Sequence, residues 1–563
     1  MVRPNAPLRV DAETREKMKS YFIHAKDLTQ RFNIERARRL IVTPDVLENF
    51  DHEMQWLTSD DRYSCVDVKG VDGIPQARLK PDFTKRLIEC GLIEQIDAAN
   101  VRGHVRLFLL PEHAKGRFRP IRYTKDINDA CGRDTLRPCV IPTKADIVPA
   151  VLKGQYMILL DLAAMFDQFE LALPVSQRMC FQQDALFYRL KVMAMGQRQA
   201  VGVANAAMQC LLDFPKKSTH CGSIIDNACF IGDTPDDVIH DATLFITRCA
   251  EAGVTLNEIH ASTATPEKIA QLVTTVGDWG GVNLNLVTKE VKITAKSVKK
   301  TAESWARRAT WLNREYAGHI GLLFWAWRIL DLPMAEFFPV LRFNSLLAQW
   351  ITTHQPPQLP DGSFPENPVW ELPAEIHPSV WPVLQRWTDL VIANTPRVVR
   401  PIVTPEFVMQ CDASRWGHAY IAVNTATAEV YYHAERWDDF MERNFGHRLG
   451  KSCFAEPLGN FKSHQHLLRQ LPHVRSCHCD GDNTPTEFTN IRGFSSRSFH
   501  LNACIAKRAR EFPPSCYQLT DGFVQGKKNL SDLLSRGLAT SISEEDIEAI
   551  RAYADTMLRS WRG

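Results

Sequence analysis

The sequence contains no stretch of eighteen or more uncharged apolar residues, which excludes a helical membrane span. Its first twenty residues, MVRPNAPLRVDAETREKMKS, lack the apolar core of a secretory signal. These two absences predict an intracellular protein, cytoplasmic, nuclear or both, with no membrane partner. CxxC pairs are missing as well: fifteen cysteines are scattered over 563 positions, so neither a disulfide framework nor a zinc ribbon is indicated. Cys477 and Cys479 alternate along a strand-like run and read as packing. No internal repeat, low-complexity tract, aspartic-protease signature or integrase signature occurs. Net charge is small, at +2, so any nucleic-acid surface must be a local one.

What is present fits a soluble globular chain of two to four domains, with 45% hydrophobic and 23% charged residues. HQPPQLPDGSFPENP (354 to 368) carries five prolines and no apolar periodicity, and reads as an extended linker. Upstream, YMILLD (156 to 161) is a buried-strand run ending in an acid, and VIHDATLFITRCAEAG has helical spacing closed by Gly253. Downstream, EFVMQCDAS, HAYIAVN and EVYYHAERW are strand-like, followed by helical material and a further strand, VRSCHCD; that order suits an α/β domain. KMKSYFIHAKDLTQRFNIERARRLIV has helical spacing near the N-terminus. AGHIGLLFWAWRILDLPM is apolar and Trp-rich, as core packing requires. KEVKITAKSVKKTAESWARR (289 to 308) sets seven Lys or Arg against two Glu; taken alone, it is a solvated helix face.

SIIDNACFIGDTPDD (223 to 237) holds four aspartates. Thr234 as N-cap and Pro235 at the first helical position put Asp236 and Asp237 in the first turn, facing the positive end of the helix dipole, and these two acids need no metal to explain them. Asp233 falls in the loop before the cap. Asp226 and Asn227 separate two apolar runs and tolerate the positive φ of a tight hairpin, so Asp226 is placed at a hairpin tip. An Asp-Asn turn alone is most often only a turn. Asp161, at the end of YMILLD, changes this: should the two carboxylates meet, they form an oxygen site for a divalent ion of the kind used in phosphoryl transfer.

LLDLAAMFDQFEL, MAMGQRQAVGVANAAMQ, IIDN, CAEAGVTLNE and WGGVNLNLVTKEVKIT occur in the order and spacing of the palm motifs of reverse transcriptases, and KGRFRPIRYTKDIN resembles their fingers segment. The match covers roughly residues 105 to 300, and its flavour resembles tyrosine-recombinase retroelements of the DIRS order, VIPER-like. The resemblance implies that Asp161 and Asp226 ligate metal, that Lys115 and Arg119 neutralise the triphosphate, and that Phe166 abuts the sugar and disfavours a 2′-hydroxyl. It further implies that Gly196, Arg198, Gln199 and Asn205 surround the nucleotide, that Trp279-Gly280-Gly281 belongs to the primer grip, and that 289 to 308 is a thumb helix along the duplex. Without the family, Phe166 would be a core phenylalanine and KGRFR a basic turn. The sequence departs from the family's pattern at Asn227, where a second acid is common, and at Ile224, where an aromatic is usual. The residues just before Gly196 also differ, and a proline often found after that loop is absent.

Beyond the linker, Asp412, Glu456, Asp480 or Asp482, and Asp532 arrive as strand end, helix, strand end and helix over roughly 401 to 540, resembling the carboxylates of ribonuclease H. Asp482, followed by Asn483-Thr484, is favoured over Asp480. Pro457 directly after Glu456 restricts where that helix can begin. Singly, each acid would be a surface carboxylate or a cap.

The implied fold class is α/β and α+β multidomain: a right-hand polymerase followed by a ribonuclease H-like domain. Its divisions are 1–104 (helical extension and start of fingers), 105–290 (fingers and palm), 291–353 (thumb), 354–400 (linker/connection), 401–540 (nuclease) and 541–563 (helical tail). The implied activity is RNA-directed DNA polymerisation with ribonuclease H, using two Mg²⁺ (or Mn²⁺) ions per active site. The implied partners are an RNA template, a DNA primer, the RNA:DNA hybrid and deoxynucleoside triphosphates. The alternatives are a degenerate copy that binds RNA or hybrid without polymerising, and a hybrid nuclease whose polymerase half is a clamp.

Overall fold

The structure, a computed structural model, describes residues 12–66, 71, 73–131, 137–357 and 367–562. The first eleven residues, and the middle of the linker expected at 354 to 368, lie outside the described residues. The chain forms two units, Met1–Glu290 and Val291–Gly563. No described helix is long and apolar enough to cross a membrane.

In the first unit, the N-terminal segment expected to be one helix is three elements: α1 (Ala12–Lys19), β1 (Phe22–Ile23) and α2 (Ile34–Leu40). Tyr21, Ile23 and Ala25 are buried at a period of two, which an α-helix cannot satisfy, and the Asn33 side chain caps α2 by accepting from Arg36 N. The helix α3 (Pro44–Thr58) follows. β1 pairs in parallel with β3 (Arg117–Tyr123), itself the antiparallel partner of β2 (Arg106–Glu112).

YMILLD forms β4 (Tyr156–Asp161). After α4 (Ala200–Leu211) come β5 (His220–Ile224) and β6 (Asn227–Gly232), and β6 lies between β4 and β5, antiparallel to both. The run is apolar without alternation because both faces are covered. On one face α5 (Pro235–Glu251) packs Phe245 against Phe230 with ring centroids 5.6 Å apart. On the other, the hairpin β7 (Val276–Trp279) and β8 (Val282–Asn285) brings Gly277 against Met157 and Leu159, where an added Cβ would lie 2.8 Å from the Leu159 side chain. α5 begins as its sequence dictates: the Thr234 hydroxyl accepts from Asp237 N, Pro235 is in the first turn, and Gly253 adopts φ +75° just past the end.

The second unit opens with α6 (Ala295–Ala306), α7 (Asn313–Leu330), α8 (Phe338–Thr353) and α9 (Trp381–Ala393). Tyr316, Ile320, Leu323, Ala326 and Ile329 bury one stripe of α7, and Trp305, Trp311 and Trp381 pack with ring centroids 5.7 to 6.2 Å apart. Lys296, Lys299 and Lys300 of α6 remain exposed. The expected linker/connection of 354–400 contains α9, whose Pro382 sits in its first turn, where no intrahelical N–H is needed.

A five-stranded sheet follows, ordered β11-β10-β9-β12-β13, from β9 (Phe407–Ala413), β10 (Gly417–Asn424), β11 (Val430–Arg436), β12 (Ser476–Gly481) and β13 (Gln518–Phe523). The first three strands are antiparallel, and β12 and β13 run parallel to β9. Helices α10 (Ser452–Gln470), α11 (Thr484–Arg492) and α12 (Phe499–Glu511) are interspersed, and short α13 (Asp532–Ser535) precedes α14 (Glu544–Arg562). α14 is no free tail: Ile550 and Ala554 are buried with Val408, Ile421 and Val423 of the sheet. Cys477 and Cys479 are buried core thiols, as read.

Candidate functional site

The register of β4 on β6 sets Asp161 opposite Asn227, and the hairpin tip beyond it carries Asp226. The tip is displaced by one residue from expectation. Ile224 pairs with Asn227, so the two-residue loop is Ile225-Asp226, and the positive φ of +55° falls on Ile225. A β-branched residue there is strained, on the order of 1–3 kcal/mol, and such strain collects where a side chain must be aimed. The Asp226 carbonyl accepts from Leu162 N at 2.8 Å, which ties the tip to the end of β4.

Asp161 is enclosed by groups that the sequence reading did not single out. Its N–H donates to Glu258 Oε2 at 2.9 Å, its carbonyl accepts from Asn257 N at 2.9 Å, and Asn257 Nδ2 donates to Asp161 Oδ2. Asn227 Nδ2 lies 3.5 Å from Oδ1. Burial, then the Asp226 charge, push the Asp161 carboxyl up to about 6, with Glu258 adding to the rise and Asn257 and Lys26 opposing it. Burial raises Asp226 as well.

The remaining proposed nucleotide contacts divide. Lys115 is exposed at the β2–β3 turn, and the Arg119 guanidinium is 3.3 Å from Glu112. Phe166 is half-buried against the core, and its neighbour Asp167 is ion-paired with Arg122 of β3. Gly196 is exposed, its carbonyl accepts from Asn128 at 2.8 Å, and an added Cβ would lie 3.2 Å from the Arg122 carbonyl, so its smallness serves the approach to β3. Arg198 bonds Asn128 through its N–H and the Cys131 carbonyl through its guanidinium. Two residues lie in surroundings of their own. Gln199 is buried, with its amide donating to the Tyr63 hydroxyl at 2.6 Å. Asn205 lines a cavity of about 610 Å³ with Glu53, Gly202 and Ser223, a space that neither Asp161 nor Asp226 borders.

Trp279-Gly280-Gly281 turns the β7–β8 hairpin, with φ +56° at Gly280 and +81° at Gly281. An added Cβ on Gly280 would meet Ile224 Cδ1 at 2.5 Å and Ile147 Cδ1 at 2.6 Å. Gly280→Ala is therefore expected to lower stability by about 1–3 kcal/mol, read by thermal unfolding, because both the dihedral and the space are wrong for a side chain.

In the second unit a three-carboxylate group forms at the ends of β9 and β12. One oxygen each from Asp412, Glu456 and Asp482 lie within 4.8 Å of one another. Gly459 makes this possible: its Cβ position is 2.5 Å from that of Ala413, so α10 approaches β9 closely enough for Glu456, one turn earlier, to reach Asp412. The helix begins five residues before Pro457, not after it, and Pro457 is accommodated inside α10. The structure sets Asp480 and Asp482 in different surroundings. Asp480 is buried on the strand, where it accepts from the Tyr553 hydroxyl of α14 at 2.8 Å, while Asp482 lies beyond the strand end and joins the group. Asp532 lines the same pocket of about 510 Å³, but its carboxylate is held by Arg536 at 2.8 to 2.9 Å and is not in the group.

Burial, then Asp412, Asp482 and Glu487, push the Glu456 carboxyl up to about 10. Burial, with Asp482 and Asp532 adding, pushes Asp412 up to about 6 against the Ser535 hydroxyl that donates to it. Burial and Asp532 raise Asp482. Among the described residues, no Lys or Arg is ion-paired with these three. Converging like charges that offer only hard oxygen donors, with the Arg536 charge opposing the rise at Asp412 and Asp482, fit a divalent ion such as Mg²⁺ or Mn²⁺. Asp161 and Asp226 offer oxygen donors of the same kind, and the Asp226 charge acts on Asp161.

No family model matches the chain. No curated protein matches it either. Solved structures similar to it include a foamy viral protease-reverse transcriptase in complex with double-stranded DNA, at 10% identity and TM-score 0.44 over 91% of this chain and 85% of that one. A second such complex with double-stranded DNA gives 10% identity and TM-score 0.43 over 89% and 99%, and one with an RNA/DNA hybrid gives 10% and 0.41 over 92% and 66%.

Proposed function

We propose that the chain is an RNA-directed DNA polymerase joined to a ribonuclease H, copying retroelement RNA into DNA and degrading the RNA of the resulting hybrid. In this reading 105–290 supply fingers and palm, 291–353 the thumb, and 401–540 the nuclease. The DIRS-like origin rests on the sequence motifs alone. The observation that carries the reading is that in each unit acids from distant segments come together at strand ends, where burial and one another's charge hold their carboxyls above the ordinary range.

Asp161 and Asp226 would hold the polymerase ions, and Asp412, Glu456 and Asp482, with Asp532 beside them, those of the nuclease. When bound, such ions polarise phosphoryl oxygens and lower the pKa of bound water. The chain's own groups do the rest. Lys115 and Arg119 neutralise triphosphate charge, Phe166 presents a ring edge to the sugar, and exposed Lys296, Lys299 and Lys300 follow the duplex backbone. Glu456 must surrender its proton as an ion enters, so occupancy of the nuclease site rises with pH.

A second reading, a copy that binds hybrid without polymerising, is favoured by one observation: Asn227 faces Asp161 with an amide where an acid would add charge. The test is extension of a DNA primer on an RNA template and cleavage of a labelled hybrid by the purified full chain with Mg²⁺ and with Mn²⁺. Both activities are expected. Cleavage without extension under either ion would replace the first reading with a nuclease carrying a polymerase-derived clamp.

A further inference from the structure

The N-terminal segment, to which the sequence assigns no chemistry, delivers a cation to the acidic pair of the first unit. Its backbone is pinned on both sides. His24 N donates to the Phe118 carbonyl of β3 at 2.7 Å, and the Arg86 guanidinium donates to the Ala25 carbonyl at 3.2 Å and to Asp27 at 3.0 Å. The Cys90 thiol lies 3.1 Å from the other Asp27 oxygen. Between these anchors Lys26 extends its ammonium to the side-chain carbonyl of Asn257, and the Nδ2 of that same amide donates to Asp161 Oδ2.

An Asn amide has two faces, one donating and one accepting, and only the donating face suits a carboxylate. Lys26 donates and cannot accept, so it selects the orientation in which the Asn257 carbonyl points at the ammonium and the NH₂ points at Asp161. The backbone N–H of Asn257 grips the Asp161 carbonyl, which leaves the amide torsion as the freedom that Lys26 removes. Among the described residues, no carboxylate is ion-paired with Lys26, so its charge is not spent elsewhere.

We propose that Lys26 is a positioning residue of the polymerase site, acting through Asn257 to fix the Asp161 carboxylate for its metal ion. The proposal rests on the polymerase reading above. It makes the segment that follows β1 a working part of that site rather than an appendage.

Lys26→Met keeps the length and removes the donors, Lys26→Arg keeps a donor, and Asn257→Leu removes the relay. In the full chain, Lys26→Met is expected to raise the Mg²⁺ concentration for half-maximal primer extension and to slow extension by roughly 10- to 100-fold, the scale of losing an outer partner of a metal ligand. Lys26→Arg should recover part of that loss, and Lys26→Met with Asn257→Leu should be no worse than Asn257→Leu alone. Hybrid cleavage by the second unit should be unchanged, and an unaltered thermal unfolding profile certifies that the first unit is folded. Wild-type extension with an unaltered Lys26→Met metal dependence overturns the Lys26 proposal and leaves the polymerase reading standing. Should the wild type extend nothing with either ion, the polymerase reading falls. Mn²⁺ binding that Asp161→Asn abolishes, followed by electron paramagnetic resonance, then decides: weakening by Lys26→Met supports positioning, and equal binding overturns it.

Discussion

Asp161→Asn is expected to reduce primer extension by more than about 100-fold, beyond the roughly 10- to 100-fold scale of an outer-shell loss, while hybrid cleavage stays at the wild-type rate. The substitution is chosen to isolate charge. An asparagine at this position can still accept from Asn257 Nδ2, and the backbone bonds to Glu258 and Asn257 do not involve the side chain. What is lost is one of two negative charges that burial and proximity already hold at a cost, since the Asp161 carboxyl titrates near 6 because of burial and Asp226. The variant should therefore fold at least as well as the wild type at neutral pH, and its melting temperature should not fall. Extension that survives in Asp161→Asn, with a folded protein confirmed by intact cleavage, would remove the acidic pair from the chemistry. Asp226→Asn carries the same expectation. Its consequences are less clean, because Asp226 also sits in the strained turn beside Ile225.

The parts of this site that the sequence made legible are those set by local chemistry. YMILLD reads as a buried strand because its apolar run is continuous, and Thr234-Pro235 reads as a helix start because capping is decided within four residues. Turn chemistry misled by one position: Asp and Asn are the residues that tolerate positive φ, yet the structure puts it on Ile225, where no propensity argument would. The sequence favours Asp482 over Asp480 only through the Asn483-Thr484 that follows it, because alternation alone assumes that the strand continues and puts both on one face. It ends at Gly481, which frees Asp482 from the pleat and leaves Asp480 to Tyr553, a partner 73 positions away. Gln199 and Asn205 lie on or beside α4 with no sequence mark of which way they point. Asn257 and Glu258 lay inside a recognised motif, and only the fold shows that both grip Asp161. Lys26 had no local signal at all, since its contact spans 231 positions.

Glu456→Gln is expected to abolish hybrid cleavage and, in metal-free protein, to raise stability at neutral and alkaline pH. The two effects share one cause. In the folded state the Glu456 carboxyl is pushed up to about 10, first by burial and then by Asp412, Asp482 and Glu487, and that of Asp412 to about 6, first by burial and then by Asp482 and Asp532. Unfolded carboxyls titrate near 4, so above that pH the folded chain holds protons that the unfolded chain has released. Stability must then fall as pH rises, with a slope approaching about 1.4 kcal/mol per pH unit for each such proton. The Asp412 contribution is lost between about 4 and 6, and that of Glu456 continues toward 10. Glutamine mimics the protonated acid at every pH, so the variant's melting temperature should vary less with pH than that of the wild type. A divalent ion should do for the wild type what glutamine does for the variant, and it should stabilise far more at pH 8 than at pH 5, where protons already neutralise part of the group. Scanning calorimetry across pH, with and without Mg²⁺, separates the possibilities. A wild-type stability that is flat between pH 5 and 9 would mean that the three carboxylates are not held against one another. Mg²⁺ stabilisation that persists undiminished in Glu456→Gln would place the ion elsewhere.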